Sequence, residues 1–173
     1  RPLARHGPDL EGREIAWLRL VARRTWRFFE ELVVAEDHFL PPDNFQEDPP
    51  RGVAHRTSPT NIGLSLTASL AAYDFGYITA GELLARTTRT LDTMDRLERY
   101  RGHFYNWYDT RTLEPLRPMY VSTVDSGNLA GHLVVLAQGL AELADEPVFG
   151  REVVRGLLDT VSIAATVCAG DGV

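Results

Sequence analysis

The sequence predicts an all-α fold of antiparallel helical hairpins, with long loops gathered on one face. Three observations lead there. Apolar residues recur three or four positions apart in five separate segments, the period of a helix with one buried stripe. Helix-start signals precede several of those segments, and the connections between them alternate short and long. The 173 residues, 44% apolar and 24% charged, suit one soluble domain with a real core, or part of one.

The first segment, Glu11 to Val34, spaces Ile15, Leu18, Ala22, Thr25, Phe29 and Leu32 along one face. Ser58 then stands where a helix N-cap belongs, ahead of Pro59, whose fixed φ and missing N–H suit the first helical position. Ile62, Leu66, Leu70 and Tyr73 carry this second helix to Gly76. Thr79 and Glu82 have capping-box spacing, T-A-G-E, before a third helix that turns Leu83, Leu84, Thr87, Leu91, Met94 and Leu97 inward. A fourth, Asn128 to Ala144, is capped by Asp125 or Ser126 and aligns Leu129, Leu133, Leu136, Leu140 and Leu143. Its Gly131 and Gly139 leave room for close helix contact. The fifth, Glu152 to Val167, aligns Val153, Leu157, Val161 and Ala164. Cys168, the single cysteine, excludes an internal disulfide framework and reads as a small buried residue.

Charge narrows the function classes. The net charge of −6 opposes a sequence-independent grip on nucleic acid, which needs clustered cations. Arg19, Arg23, Arg24 and Arg27 lie at helical spacing with Glu30 and Glu31 behind them, which reads as a solvated, salt-bridged face; a membrane surface or a partner domain is the alternative. No run approaches the roughly eighteen apolar residues that cross a bilayer. The five histidines, His6, His38, His55, His103 and His132, show no metal-ligand spacing, so no metal is expected. With no initiating Met and no evident closing element, the chain is expected to be part of something larger.

The connections carry the chemistry. Helices two and three are joined by a few residues around Gly76 to Ile78, and helices four and five by Asp145 to Phe149. Ala35 to Thr57 and Arg99 to Val124 are longer than the roughly 12–15 residues beyond which a structureless loop is usually functional. If successive helices run antiparallel, both long loops emerge at the same end. That places Asp43, Asn44, Glu47, Arg56 and Thr57 beside Tyr105 to Asp109 and Asp125, with Asn61 in the adjoining helix turn. Within the second loop, Phe104 to Tyr108 reads as a short strand that turns back towards Met119 to Val121. Flat aromatic rings beside carboxylates, an amide and an arginine suit a sugar, which offers C–H faces and hydroxyls. The candidate substrate-binding residues are therefore Arg56, Asn61, Trp107, Tyr108, Asp109 and Asp125. Each has a structural alternative: the rings as loop packing, Arg56 and Asp125 as a pair tying the loops together, Asn61 as a capping residue. There is no Gly-rich phosphate loop and no G-x-S-x-G elbow; Ser58 and Ser126 read as caps.

Three stretches carry a resemblance: H-R-T-S-P-T-N-I-G-L (55–64), Y-R-G-H-F-Y-N-W-Y-D-T-R-T-L (100–113) and Y-V-S-T-V-D-S-G-N-L-A-G-H-L (120–133). With R-R-T-W-R-F-F-E and L-P-P-D-N-F-Q-E before them, they resemble a segment of the bacterial cyclic β-1,2-glucan synthases. Those are large inner-membrane enzymes with a UDP-glucose-dependent transferase region, a middle glycosidase-like region that closes the glucan ring by transglycosylation, and a phosphorylase-like region. The resemblance implies that residues 1–173 are the beginning of the middle region, a single incomplete domain, with residues 1–12 a linker after membrane helices. It implies part of an (α/α)6 toroid on the cytoplasmic face of the membrane, with a β-1,2-glucan chain and the remaining domains of the same polypeptide as partners. UDP-glucose would be the parent's donor, and no cofactor is expected for this segment. A retaining transglycosylase needs two carboxyl groups about 5–5.5 Å apart and an inverting enzyme about 6.5–9.5 Å. The resemblance puts the catalytic pair outside this segment, which alone is expected to be inactive; Asp43, Asp109 and Asp125 are the carboxylates to watch. The alternative from another class is a helical scaffold or docking module between the transferase and phosphorylase-like domains.

Overall fold

A computed structural model describes residues 10–143 and 150–168. They form five α-helices: α1 (Gly12–Leu32), α2 (Pro59–Asp74), α3 (Ala80–Arg96), α4 (Thr123–Leu143) and α5 (Arg151–Cys168). Six two-residue strands decorate the long connections: β1 (Phe45–Gln46), β2 (Gly52–Val53), β3 (Arg56–Thr57), β4 (Arg99–Tyr100), β5 (His103–Phe104) and β6 (Tyr108–Asp109). They pair antiparallel as β1 with β2, β3 with β6 and β4 with β5. The all-α expectation holds. No described helix is long and apolar enough to cross a membrane. The expected linker and the link between helices four and five lie almost wholly outside the described residues.

Two helix starts follow their local signals. Ser58 Oγ accepts from the Asn61 amide (3.2 Å) with Pro59 at the first position of α2, and Thr79 Oγ1 accepts from the Glu82 amide (3.2 Å) at α3. Glu82 does not close the box but faces Arg86 one turn on, at 3.8 Å. At α4 the cap is neither Asp125 nor Ser126. Ser122 Oγ accepts from the Asp125 amide (3.1 Å), which starts the helix earlier and puts both predicted caps inside its first turn. Gly76 ends α2 with φ +78 while the Tyr77 amide bonds Ala72 O (2.8 Å), the left-handed stop that glycine adopts without strain.

The core centres on α2 and α4, which pack side by side. A Cβ on Gly63 would meet the His132 ring at 2.8 Å, and one on Gly139 would strike Leu70, so glycine sets the helix spacing at both points. Gly131, by contrast, has open space beside it. Contacts 63 to 132 and 70 to 139 advance together, so α2 and α4 run parallel and present their N-termini at the same end. Ile62, Leu66, Leu83, Leu129 and Leu136 are buried between the elements, each large side chain contributing about 1.5–3 kcal/mol.

Several apolar stripes differ from expectation. In α3 the inward face is Leu83, Thr87, Thr90, Thr93 and Met94, while Leu84 and Leu91 are exposed. The rotation has a cause: Thr90 and Thr93 donate to the Phe39 (3.0 Å) and His38 (2.7 Å) carbonyls, pinning a turn in which both of those residues have positive φ. In α1 Ile15 and Leu18 are exposed and Trp26 is buried; in α5 Val153, Leu157 and Val161 are exposed, as is Cys168. Polar contacts join these two helices. Asp159 receives Arg19 Nε (2.9 Å) and the Tyr77 hydroxyl (3.2 Å), and Arg23 Nε donates to Thr160 (3.1 Å). Arg19 and Arg23 are thus largely covered, while Arg27, paired with Glu31 at 2.7 Å, keeps the solvated character expected of the cluster. Val134 and Val135 of α4 and Val154, Leu157 and Leu158 of α5 are also exposed.

Tyr108, at 0% exposure, is a core residue and not a ligand contact. Its hydroxyl donates to Glu98 O (2.7 Å) and accepts from the Tyr105 amide (2.7 Å), locking β6 under the β4–β5 hairpin. The period-2 alternation of a strand turns Trp107 one way and Tyr108 the other.

Two outcomes follow. Gly76→Ala and Gly102→Ala both force a side chain into positive φ, at about 1–2 kcal/mol each, but only Gly76 lies against backbone, that of Glu152. Urea denaturation should therefore show the larger loss for Gly76→Ala; equal losses would refute the close approach of α5. Burial pushes the phenols of Tyr108 and Tyr77 up to about 12 from 10.0. The folded chain then holds two protons that the unfolded chain releases, so this contribution is complete below pH 10 and is lost as pH rises to about 12. Ultraviolet titration should find two phenols ionising late, together with unfolding.

Candidate functional site

Parallel α2 and α4 bring the two long connections to one end, and β3 joins them to each other. Arg56 pairs with Asp109 and Thr57 with Tyr108, so the end of the first loop and the middle of the second form one antiparallel ladder. The Thr110 amide extends it by donating to His55 O (3.1 Å). Beneath lies Asp37, a carboxylate 3% exposed. It accepts from the Thr110 hydroxyl and from His55 Nδ1 (2.8 Å). Arg111 Nη2 can only donate, so the opposite ring nitrogen, His55 Nε2, accepts from it at 2.8 Å, and this fixes the tautomer that gives Nδ1–H to Asp37. His38 Nε2 donates to the Arg111 carbonyl (3.0 Å). A buried carboxylate is tolerated where it is bonded in this way. No single motif announces this group, because its members lie 18 and 73 residues apart.

Above the ladder, four of the six predicted residues meet in one network around the N-terminus of α2. Arg56 grips Asp43 through Nε (3.1 Å) and Nη2 (2.8 Å), and its guanidinium lies 5.0 Å from the Trp107 ring centroid. Asn61 Nδ2 donates to the other Asp43 oxygen at 3.3 Å. Asn106, 6% exposed, satisfies its neighbours with its amide nitrogen toward Asp125 Oδ2 (2.9 Å) and its oxygen accepting from Trp107 Nε1 (2.6 Å) and Tyr120 OH (2.8 Å). Thr60 donates to Asp125 Oδ1 (2.6 Å) and accepts from Asn128 Nδ2 (3.1 Å). Since Thr60 and Asn61 are neighbours, the contacts close a ring through Asp43, Arg56, Trp107, Asn106 and Asp125. Two carboxylates over a helix N-terminus also suit the positive end of its dipole.

The contacts correct the expected Arg56–Asp125 pair and the expected strand, and place Asp109 in its own turn. Arg56 and Asp125 do not pair with each other; Arg56 is held by Asp43 within its own loop, and Asp125 is held by Thr60 and Asn106. Asp109 folds its side chain into its own turn, accepting from the Arg111 (2.8 Å) and Thr112 (2.9 Å) amides. Burial alone would raise its pKa, but those two amides, the Thr112 hydroxyl and the Arg111 charge together hold it below the usual carboxylate range. The segment Phe104 to Tyr108 is not one strand: β5 pairs back to β4, β6 pairs with β3, and contact with the returning chain is the Asn106 amide donating to Tyr120 O (2.8 Å). Phe104 and Tyr105 are half-buried against the core. The sequence reading passed over Asn106 as a hub, although it lies inside the aromatic stretch.

Beside Arg56 the loops enclose an open hollow of about 420 Å³, lined among others by Asn44, Gln46, Arg51, Val53, His55 and Leu116. The rim carries amides, guanidinium groups and a partly covered indole, with its carboxylates already engaged as acceptors. These groups can hydrogen-bond a hydroxyl-bearing molecule.

Comparison with known proteins gives the chain its relatives. No family model matches it. The cyclic β-(1,2)-glucan synthase NdvB of Rhizobium meliloti (strain 1021) is 51% identical over 150 residues, 87% of this chain. The chain spans only 5% of that relative's length. Among solved structures, a putative glucoamylase from Bacteroides fragilis NCTC 9343 superposes with a TM-score of 0.62 at 20% identity, covering 92% of this chain and 36% of that one. One from Bacteroides caccae ATCC 43185 gives 0.62 at 23% identity, over 84% and 36%. At such identities the likeness is one of fold alone. By its 51% identity, the chain belongs to the cyclic β-(1,2)-glucan synthases, as the counterpart of one segment of such an enzyme.

Proposed function

We propose that this chain forms one wall of the glucan-binding cleft in the region that closes β-1,2-glucan into a ring by transglycosylation. The observation that carries the reading is the β3–β6 ladder, which places Arg56, Asn61, Trp107 and Asp125 on one rim. The family supplies the substrate class, and the glucoamylase-like fold supports a glycosidase-like region. In this reading the exposed apolar residues of α4 and α5 are where further hairpins complete an (α/α)6 toroid, and the catalytic carboxyl pair comes from those hairpins. The parent enzyme draws glucose from UDP-glucose in a separate transferase region at the inner membrane, with this segment on the cytoplasmic side. No residue of the chain is assigned to that donor.

The second reading, a scaffold between neighbouring domains, is favoured by one feature: Trp107 already gives a ring face to Arg56 and its Nε1 to Asn106. The two readings separate in the intact synthase. Trp107→Ala should weaken binding of linear β-1,2-gluco-oligosaccharides by roughly tenfold, equivalent to about 1.4 kcal/mol, and slow ring closure. Asp109→Asn, which touches only its own turn, should cost about 1 kcal/mol of stability and leave affinity unchanged. If Trp107→Ala lowers the unfolding midpoint but neither affinity nor ring closure, the scaffold reading is correct.

A further inference from the structure

The hollow beside Arg56 shares only that residue with the ring of contacts around α2. The first loop lines most of it, through the β1–β2 hairpin, paired Phe45 to Val53 and Gln46 to Gly52, and through His55 and Arg56; the second loop contributes Leu116. Its volume of about 420 Å³ falls within the roughly 300–1,000 Å³ of small-ligand clefts.

The lining divides into fixed and waiting groups. Arg56 is held by Asp43, and both ring nitrogens of His55 are engaged, by Asp37 and Arg111. Gln46 and Arg51, across the hollow on the hairpin, make no side-chain hydrogen bond or ion pair to any described residue. No carboxylate lines the hollow, and Val53 and Leu116 supply an apolar surface. The unfilled capacity is thus that of donors plus the amide oxygens of Gln46 and Asn44, over an apolar floor. A sugar presents the complement, hydroxyl oxygens around a ring with C–H faces. A phosphate group fits less well: Asp43 offsets the charge of Arg56, Asp37 lies behind His55, and Arg51 alone is uncompensated.

We infer that this hollow is a second saccharide subsite, in which Gln46 and Arg51 grip a glucosyl unit of the same chain that passes Trp107. The inference rests on the cleft reading for its ligand, and Arg56, which lines the hollow and covers Trp107, joins the two places.

The test is isothermal titration of the intact synthase with linear β-1,2-gluco-oligosaccharides. Gln46→Ala and Arg51→Ala should each weaken binding by about tenfold, the loss of a hydrogen bond to a polar or charged group, with an unchanged unfolding midpoint. Leu116→Trp, which fills the hollow from the other loop, should weaken it too, so the result does not depend on one wall. Unchanged affinity in all three, with Trp107→Ala still weakened, overturns the subsite and leaves the cleft standing; unchanged affinity in all four removes both. Competition by inorganic phosphate that Arg51→Ala abolishes would overturn the saccharide assignment in favour of an anion site.

Discussion

The architecture depends on the parallel packing of α2 against α4 at glycine-set distance, with the β3–β6 ladder fastened above it. Parallel neighbours in a chain of alternating helices present the same ends, so the connections that precede them must emerge together. Gly63 against His132 and Gly139 against Leu70 hold the two axes in register. The ladder then converts proximity into contact: Arg56 lies opposite Asp109 and Thr57 opposite Tyr108, and the Thr110 amide donates to His55 O. Without the register, Asp43 and Asp125 would not flank the same helix terminus.

What the loops gain from this is rigidity. Asp37 is nearly inaccessible and draws on His55 and Thr110, so breaking either partner leaves a buried charge short of donors. Thr90 and Thr93 of α3 hold the turn before Leu40, and Tyr108 holds β6 from below. The rim above is held by polar contacts of individually modest strength. Its seven members share partners, and such rings are worth more than single deletions suggest.

The sequence made the helices legible because their signals are local. Ser58 and Thr79 cap the next three residues, and the second and fourth stripes lead to a core that α2 and α4 can bury. Ile15, Leu18, Val153 and Leu157 were misread because periodicity shows that a face seeks burial, not that this chain supplies the partner. In α3 the hydroxyls of Thr90 and Thr93 outbid Leu84 and Leu91 for the inner face, since loop carbonyls needed donors. At the site, convergence of the loops was legible from helix alternation and brought Arg56, Asn61, Trp107 and Asp125 into view. Tyr108 was misplaced because alternate side chains of a strand face opposite ways, and this one faces the core. The pairing of Asp37 with His55 has no local signature and became visible only in three dimensions.

The claim that the two loops form one unit, keyed by Asp37, is open to hydrogen exchange. Amides of Thr57, Tyr108 and Thr110 should exchange at matched slow rates, and Asp37→Ala should accelerate them together while α4 around Leu136 keeps its protection. Acceleration confined to the first loop, with Tyr108 and Thr110 unmoved, would contradict the account.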